Sequence, residues 1–181
     1  MNRRSVLRYI GVASAAALVL PSCVGDPKKV SIALNNLKIS GDEEDLLAAF
    51  ASALIPATDT PGAKEVDAHL YTFIMIDDCT SPEDQKKFLS GMRKFNDEVK
   101  KLAGKSFTAT DAVERSGLLQ QVFDRHEELP EDVAAFARMS RRFIIEGYTT
   151  SQHFLTNVRE YKLIPGPVFK GCAPLDQTTI S

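Results

Sequence analysis

The side chains in this sequence that could do chemistry are few, and three of them share one predicted helix. His69, Asp77 and Cys79 offer an imidazole, a carboxylate and a thiolate, which are ligand types of a zinc site. Asp77 lies two helical turns beyond His69, however, and Cys79 would lose its thiolate in a disulfide. His126 precedes two glutamates and is better explained as a solvated helix end. We therefore expect no metal site in this chain.

The usual signatures of catalysis are also missing. The sequence contains no G-x-G-x-x-G, no G-x-x-x-x-G-K-[ST], no G-x-S-x-G and no H-E-x-x-H. It also lacks C-x-x-C-H, which excludes haem attachment of the c type. We expect no catalytic residue and no cofactor in this chain, and therefore no enzymatic activity of the chain alone.

The N-terminus indicates export. Arg3 and Arg4 begin a basic stretch that is similar to the twin-arginine signal, and a weakly apolar run from Tyr9 to Leu20 follows. That run is shorter than the roughly 20 residues that cross a bilayer. Residues 1–22 are thus predicted to be a twin-arginine signal peptide, and the protein to be periplasmic.

Cys23 ends a segment, Leu20-Pro21-Ser22-Cys23, that resembles a bacterial lipobox, although Pro21 is unusual there. Lipidation of Cys23 would make residues 23–40 a tether between a lipid anchor and the rest of the chain. The alternative is cleavage by the ordinary signal peptidase, which would leave Cys23 as a free thiol.

With Cys23 lipidated, Cys79 and Cys172 remain as an even pair in an oxidising compartment, where disulfides persist. A bond between them would close a loop of about 93 residues and stabilise the fold by roughly 4 to 5 kcal/mol on the chain-entropy model. The alternative is two unpaired, buried thiols, since sequence alone cannot place two cysteines within bonding range.

Composition describes one globular domain, residues 41–181. The chain has 181 residues, of which 44% are hydrophobic. The leader contains three of the 22 basic residues and no acidic residue, so the mature chain carries 19 basic against 24 acidic residues. That balance disfavours nucleic acids and anionic lipid head groups as partners.

The pattern of apolar residues predicts an all-α fold, a compact bundle of five to six helices. Ser40 with Glu43 forms a capping box for the first helix, and Ser81 with Pro82 begins the third. Predicted ends follow from caps, prolines and glycines. The helices are expected from Ser40 to near Pro56, from about Ala63 to Asp78, from Ser81 to Gly104, from Thr110 to about Leu129, from Pro130 to Gly147 and from Ser151 to about Val158.

From Tyr161 onward the sequence YKLIPGPVFKGCAPLDQTTIS is rich in proline and glycine and cannot be a regular helix. We expect an irregular C-terminal arm that packs either on its own domain or on another protein. Exposed apolar tails without a partner are uncommon. The candidate contact residues of this arm are Tyr161, Leu163, Ile164, Val168 and Phe169.

Three blocks of text carry a resemblance to a known family. They are LIPATDTPGAKEVDAH with the following DDC, SPEDQKKFLSGM at residues 81–92, and GYTTS with the later IPGPVFKGCAPL. The chain resembles the gluconate 2-dehydrogenase subunit 3 family, small partners of exported flavoprotein dehydrogenases of the glucose-methanol-choline type. The text after Ser151 departs from the family pattern.

The resemblance implies a non-catalytic small subunit of a sugar or polyol dehydrogenase. It implies that FAD is bound by the catalytic partner, that a separate cytochrome c subunit is a further partner, and that this chain assists export and maturation of the complex. A rival interpretation is a stand-alone periplasmic helical lipoprotein that serves as a binding or scaffold module. A weaker rival is an enzyme without a cofactor.

Overall fold

The computed structural model describes residues 29–159 and is all-α over that range. Five α-helices form a bundle, and two short turns of other helix types complete it. The α-helices are α1 (Gly41–Leu54), α2 (Ala68–Cys79), α3 (Pro82–Ala103), α4 (Ala112–Asp124) and α5 (Glu131–Thr149). A 3-10 turn at His126–Glu128 precedes α5, and a π turn at Phe154–Val158 follows it.

The helix ends follow from local chemistry. The Ser40 side chain accepts from the Glu43 backbone, and the Glu43 carboxylate accepts from the Ser40 backbone, as the predicted capping box requires. Ser81 caps α3 with its hydroxyl oxygen, which accepts from the Asp84 backbone N–H, and Pro82 occupies the first position of the helix. The helix ends at Gly104, whose φ of 73° lies in the left-handed region that glycine adopts most readily. The predictions for these ends are confirmed.

Phenylalanine rings fill the centre of the bundle. Phe50 of α1 is fully buried, and its ring lies 5.6 Å from that of Phe95 and 5.7 Å from that of Phe136. Phe136 also contacts Phe88, at 5.1 Å between ring centres. Burying such a side chain contributes roughly 1.5 to 3 kcal/mol, so this cluster is the main apolar contribution to a single core.

The second helix begins later than the sequence predicted. Residues 63–67 form turns, and α2 starts at Ala68. The Ala63 N–H donates back to the Ile55 carbonyl, and Asp67 has a left-handed φ of 57°, neither of which a continuous helix allows. The spacing of Val66 and Leu70 fits a turn as well as a helix.

A prediction at the level of a single residue was also wrong, and two apolar residues of these helices are exposed. Ile74 of α2 is 42% exposed, and Val113 of α4 is 85% exposed. Gly147, expected to end α5, lies buried inside it, because a helix residue without a side chain lets the ring of Tyr71 pack against the backbone. Among the described residues, no helix combines the length and apolar character needed to cross a membrane.

Candidate partner-binding surface

The loop between α1 and α2, residues 56–67, is held in one conformation by its own backbone. Ala63 N–H donates to the Ile55 carbonyl at 2.9 Å, and Thr58 N–H donates to the Thr60 carbonyl at 3.0 Å. Gly62 lies so close to this turn that a Cβ would be 2.6 Å from the Ile55 oxygen. The 56–67 loop therefore needs its glycine, and its exposed tip, residues 56–60, is displayed on a defined support.

The end of α5 supports the same loop. The hydroxyl of Tyr148 donates to the Pro61 carbonyl at 3.2 Å, across 87 positions of sequence. The hydroxyl of Tyr71 donates to the Glu146 carboxylate at 3.0 Å, while the ring of Tyr71 lies against Gly147. Burial, and then the bond to Glu146, raise the pKa of Tyr71, so the phenol stays a donor at neutral pH. Two of the three sequence blocks thus meet at one end of the bundle.

Asp77 fastens the segment before α1 to the end of α2. Its carboxylate is 2% exposed and accepts three backbone N–H groups, from Asn35 at 2.7 Å, Asn36 at 2.8 Å and Leu37 at 2.7 Å. Burial alone would raise the pKa of Asp77, but these three bonds outweigh it and lower the pKa below its usual value. The Asn36 side chain also donates to the Asp77 carbonyl at 2.9 Å. Asp77 therefore has a structural role, since both of its carboxylate oxygens already accept backbone hydrogen bonds.

The second sequence block forms the start of α3 and packs on its neighbours. The Gln85 amide donates to the Asp77 carbonyl at 2.9 Å, which ties α3 to the end of α2. At Gly91 the helices α3 and α5 touch, because a Cβ there would overlap the Asp132 carbonyl and lie 2.8 Å from Cβ of Phe136. The block is therefore explained by helix packing.

Cys79 lines a surface groove of about 530 Å³ between the end of α2, the start of α3 and the first half of α5. We call it the Cys79 groove. Its apolar wall consists of Met75, Ala135, Met139 and Phe143, and charged side chains surround the opening. The thiol is exposed and has no disulfide partner among residues 29–159.

A model of one protein family, described as gluconate 2-dehydrogenase subunit 3, matches residues 41–166. This match spans well over half of the chain. The chain belongs to the gluconate 2-dehydrogenase subunit 3 family. No curated protein and no solved structure gave a significant match. As the family name implies, this protein is a subunit of a multi-subunit gluconate 2-dehydrogenase complex.

The histidines of this subunit 3 family member lie apart. His69 is 7% exposed, and burial lowers its pKa despite the nearby Asp67. His126 is exposed in the 3-10 turn, and His153 pairs with Asn157 after α5. Residues 29–159 contain no group of three or more histidine, cysteine or acidic side chains that could hold a metal ion.

Several predicted sites of the subunit lie outside the described residues. They are the export signal at Arg3 and Arg4, the lipidation site at Cys23, the disulfide partner Cys172, and the contact candidates Tyr161, Ile164, Val168 and Phe169. The structure places Cys79 alone among the predicted sites. Sequence reasoning missed Tyr71, Glu146 and Tyr148, because their contacts join residues 75 or more positions apart. The only indication of these residues in the sequence was that they lie in or next to the blocks that resemble the family.

Proposed function

We propose that this chain is the non-catalytic small subunit and export escort of an FAD-dependent sugar or polyol dehydrogenase of the glucose-methanol-choline type. The observation that carries the proposal is the family match over residues 41–166, which is preceded by a sequence that resembles a twin-arginine leader. The twin-arginine route transports folded proteins. A partner without its own signal can cross the membrane while bound to this chain.

In this division of labour the chain binds no cofactor. The catalytic partner holds FAD and oxidises the substrate, and a separate cytochrome c subunit takes the electrons. The small subunit stabilises the flavoprotein during folding and assembly in the cytoplasm. Its complex is then located in the periplasm, attached to the membrane through a lipid on Cys23.

The tip of the 56–67 loop is the surface that we assign to the flavoprotein. Thr58, Asp59 and Thr60 are exposed, and their side chains make no hydrogen bond to any described residue. The loop beneath them is fixed by Gly62 and by Tyr148. A contact surface on a preformed loop loses little conformational entropy on binding, which favours affinity.

The escort role is tested by the double change Arg3→Lys and Arg4→Lys in the native strain. We expect both this protein and the flavoprotein to remain in the cytoplasm, and dehydrogenase activity to disappear from the periplasmic fraction. Arg8→Lys serves as the control, because it changes a leader arginine outside the pair.

Deleting the gene provides the decisive comparison. Export and activity of the flavoprotein that do not change would contradict the escort role and favour the stand-alone lipoprotein. The contact surface is tested separately by Asp59→Lys at the loop tip. That exposed substitution should reduce co-purification of the flavoprotein while the thermal unfolding of the small subunit stays the same.

A further inference from the structure

The Cys79 groove is an apolar surface at the side of the bundle. Met75 and Met139 are only half-buried, and Phe143 lies beneath them. The exposed Cys79 lines the same groove, and the ion pair of Lys87 with Glu131, at 3.0 Å, bridges α3 and α5 at its edge. Methionine walls of this kind adapt to the shape of apolar side chains that bind them.

The described chain ends at the opposite end of the bundle from this groove. Helices α2 and α5 are antiparallel, since Tyr71 contacts Gly147 at one end while Cys79 and Met139 line the groove at the other. The described chain ends at Arg159, beyond the C-terminus of α5. Thr149, at the end of α5, and Met139, in the groove, are about 15 Å apart along the axis of this helix. A chain that leaves α5 must cover this distance to come back to the groove.

The arm is long enough for that return. Cys172 lies thirteen positions beyond Arg159, and thirteen extended residues span at most about 43 to 47 Å. The arm also has side chains that suit the groove, because Ile164, Val168 and Phe169 are apolar. They lie among prolines and glycines that prevent a helix. Val168 and Phe169 shortly precede Cys172, so binding of these two side chains in the groove would place the Cys172 thiol near Cys79.

We propose that the C-terminal arm of this chain folds back into the Cys79 groove, with Val168 and Phe169 against Met75 and Met139 and with Cys172 bonded to Cys79. The two thiols give up two protons and two electrons when the S–S bond forms. A disulfide-bearing oxidant of the export compartment accepts the electrons and is reduced to a dithiol. The groove would thus be filled by the chain's own segment, and this inference is independent of the escort role.

Methionine oxidation of the purified, full-length exported protein tests the seating. The chain has four methionines, of which Met1 lies in the leader, Met75 and Met139 line the groove, and Met92 is 1% exposed in the core. The experiment compares the wild type with the double variant Val168→Asp, Phe169→Asp under dilute hydrogen peroxide, and maps sulfoxide by peptide mass.

With the arm in the groove, Met75 and Met139 should oxidise about fivefold or more slowly in the wild type than in the double variant, because oxidation follows exposure. Met92 is buried in the core and should be oxidised slowly in both proteins. Slow oxidation of Met92 in the double variant would show that its fold is intact. The matched control is Thr178→Asp with Thr179→Asp, which adds the same charges beyond Cys172 and should leave the methionines protected.

Disulfide mapping without reduction completes the test. A peptide pair joining Cys79 to Cys172 within one chain is expected in the wild type. Equal oxidation rates in wild type and double variant, or alkylation of Cys79 in the exported protein, would overturn the proposal. Protection that arises only after the flavoprotein is added would assign the groove to the partner, and a Cys79 to Cys172 link between two chains would assign it to a second copy.

Discussion

Asp77 shows how one buried carboxylate determines a connection in the fold. Both oxygens of the Asp77 carboxylate accept hydrogen bonds, so together they take three converging backbone N–H groups. An amide of the same shape would turn a donor toward one of these N–H groups. The bonds hold Asn35 to Leu37 against the end of α2, and Leu37 enters the core at 5% exposure. Sequence analysis considered this residue only as a metal ligand and rejected it. Its structural role was not visible, because its backbone donors lie about 40 positions away and leave no local trace.

We predict that Asp77→Asn destabilises the protein by about 1 to 3 kcal/mol at pH 7, since an amide places a donor against N–H groups that need an acceptor. Urea unfolding of the mature protein measures the change. Asp78→Asn is the matched control, because Asp78 is exposed and makes no hydrogen bond to any described residue. A loss of stability as large in the control would contradict the assigned role of Asp77.

The pH dependence of this effect has a defined sign. The folded-state pKa of Asp77 is lowered, so the carboxylate contributes its full stability above the pKa of the unfolded chain, near 4. That contribution disappears as the pH falls through the lower folded-state pKa. The difference between wild type and Asp77→Asn should therefore shrink below about pH 4, and a difference that grows there would contradict it.

At the scale of elements, the sequence predicted most of what depends on nearby residues. The caps at Ser40 and Ser81 and the end at Gly104 involve residues within four positions, so their chemistry is visible in the text. The late start of α2 was not visible, because the 56–67 loop takes its shape from Ile55 and from the distant Tyr148. Local patterns do not record such support.

The contact between α3 and α5 depends on Gly91. We predict that Gly91→Ala destabilises the protein by about 1 to 3 kcal/mol, because the added methyl group must displace the first turn of α5 or the side chain of Phe136. Gly117→Ala, in the exposed part of α4, meets no atom within 4 Å and should stabilise by about 0.5 to 1 kcal/mol through helix propensity. Urea unfolding of both variants measures the contrast.

The opposite signs of these two changes separate packing from propensity. Both replace a helical glycine with the best helix former, so a difference between them reports the helix contact alone. Equal stabilisation of both variants would show that α3 and α5 can move apart at Gly91 without cost, which contradicts the contact.

At the scale of the whole molecule, the attachment of residues 31–37 to the bundle would limit how far a lipid-anchored subunit can stand from a membrane. Ser31 N–H donates to the Glu44 carboxylate at 2.8 Å, and Asn35 is held by Asp77. Cys23 lies eight positions before Ser31, and eight extended residues reach at most about 26 to 29 Å. A lipid on Cys23 would therefore keep the helical subunit, and a dehydrogenase bound to it, close to the membrane surface.

Lipidation gives the last prediction. In the wild type we expect the exported protein to sediment with membranes, because acyl chains on Cys23 supply apolar burial that the mature, acidic chain lacks. Cys23→Ala should release the protein into the soluble periplasmic fraction or leave the precursor unprocessed. Cys79→Ala is the control, since the loss of the groove cysteine, and with it the proposed bond to Cys172, should not alter fractionation. If Cys23→Ala changes neither processing nor membrane association, the tether is not a lipid tether, and attachment to the membrane must then come from the dehydrogenase complex itself.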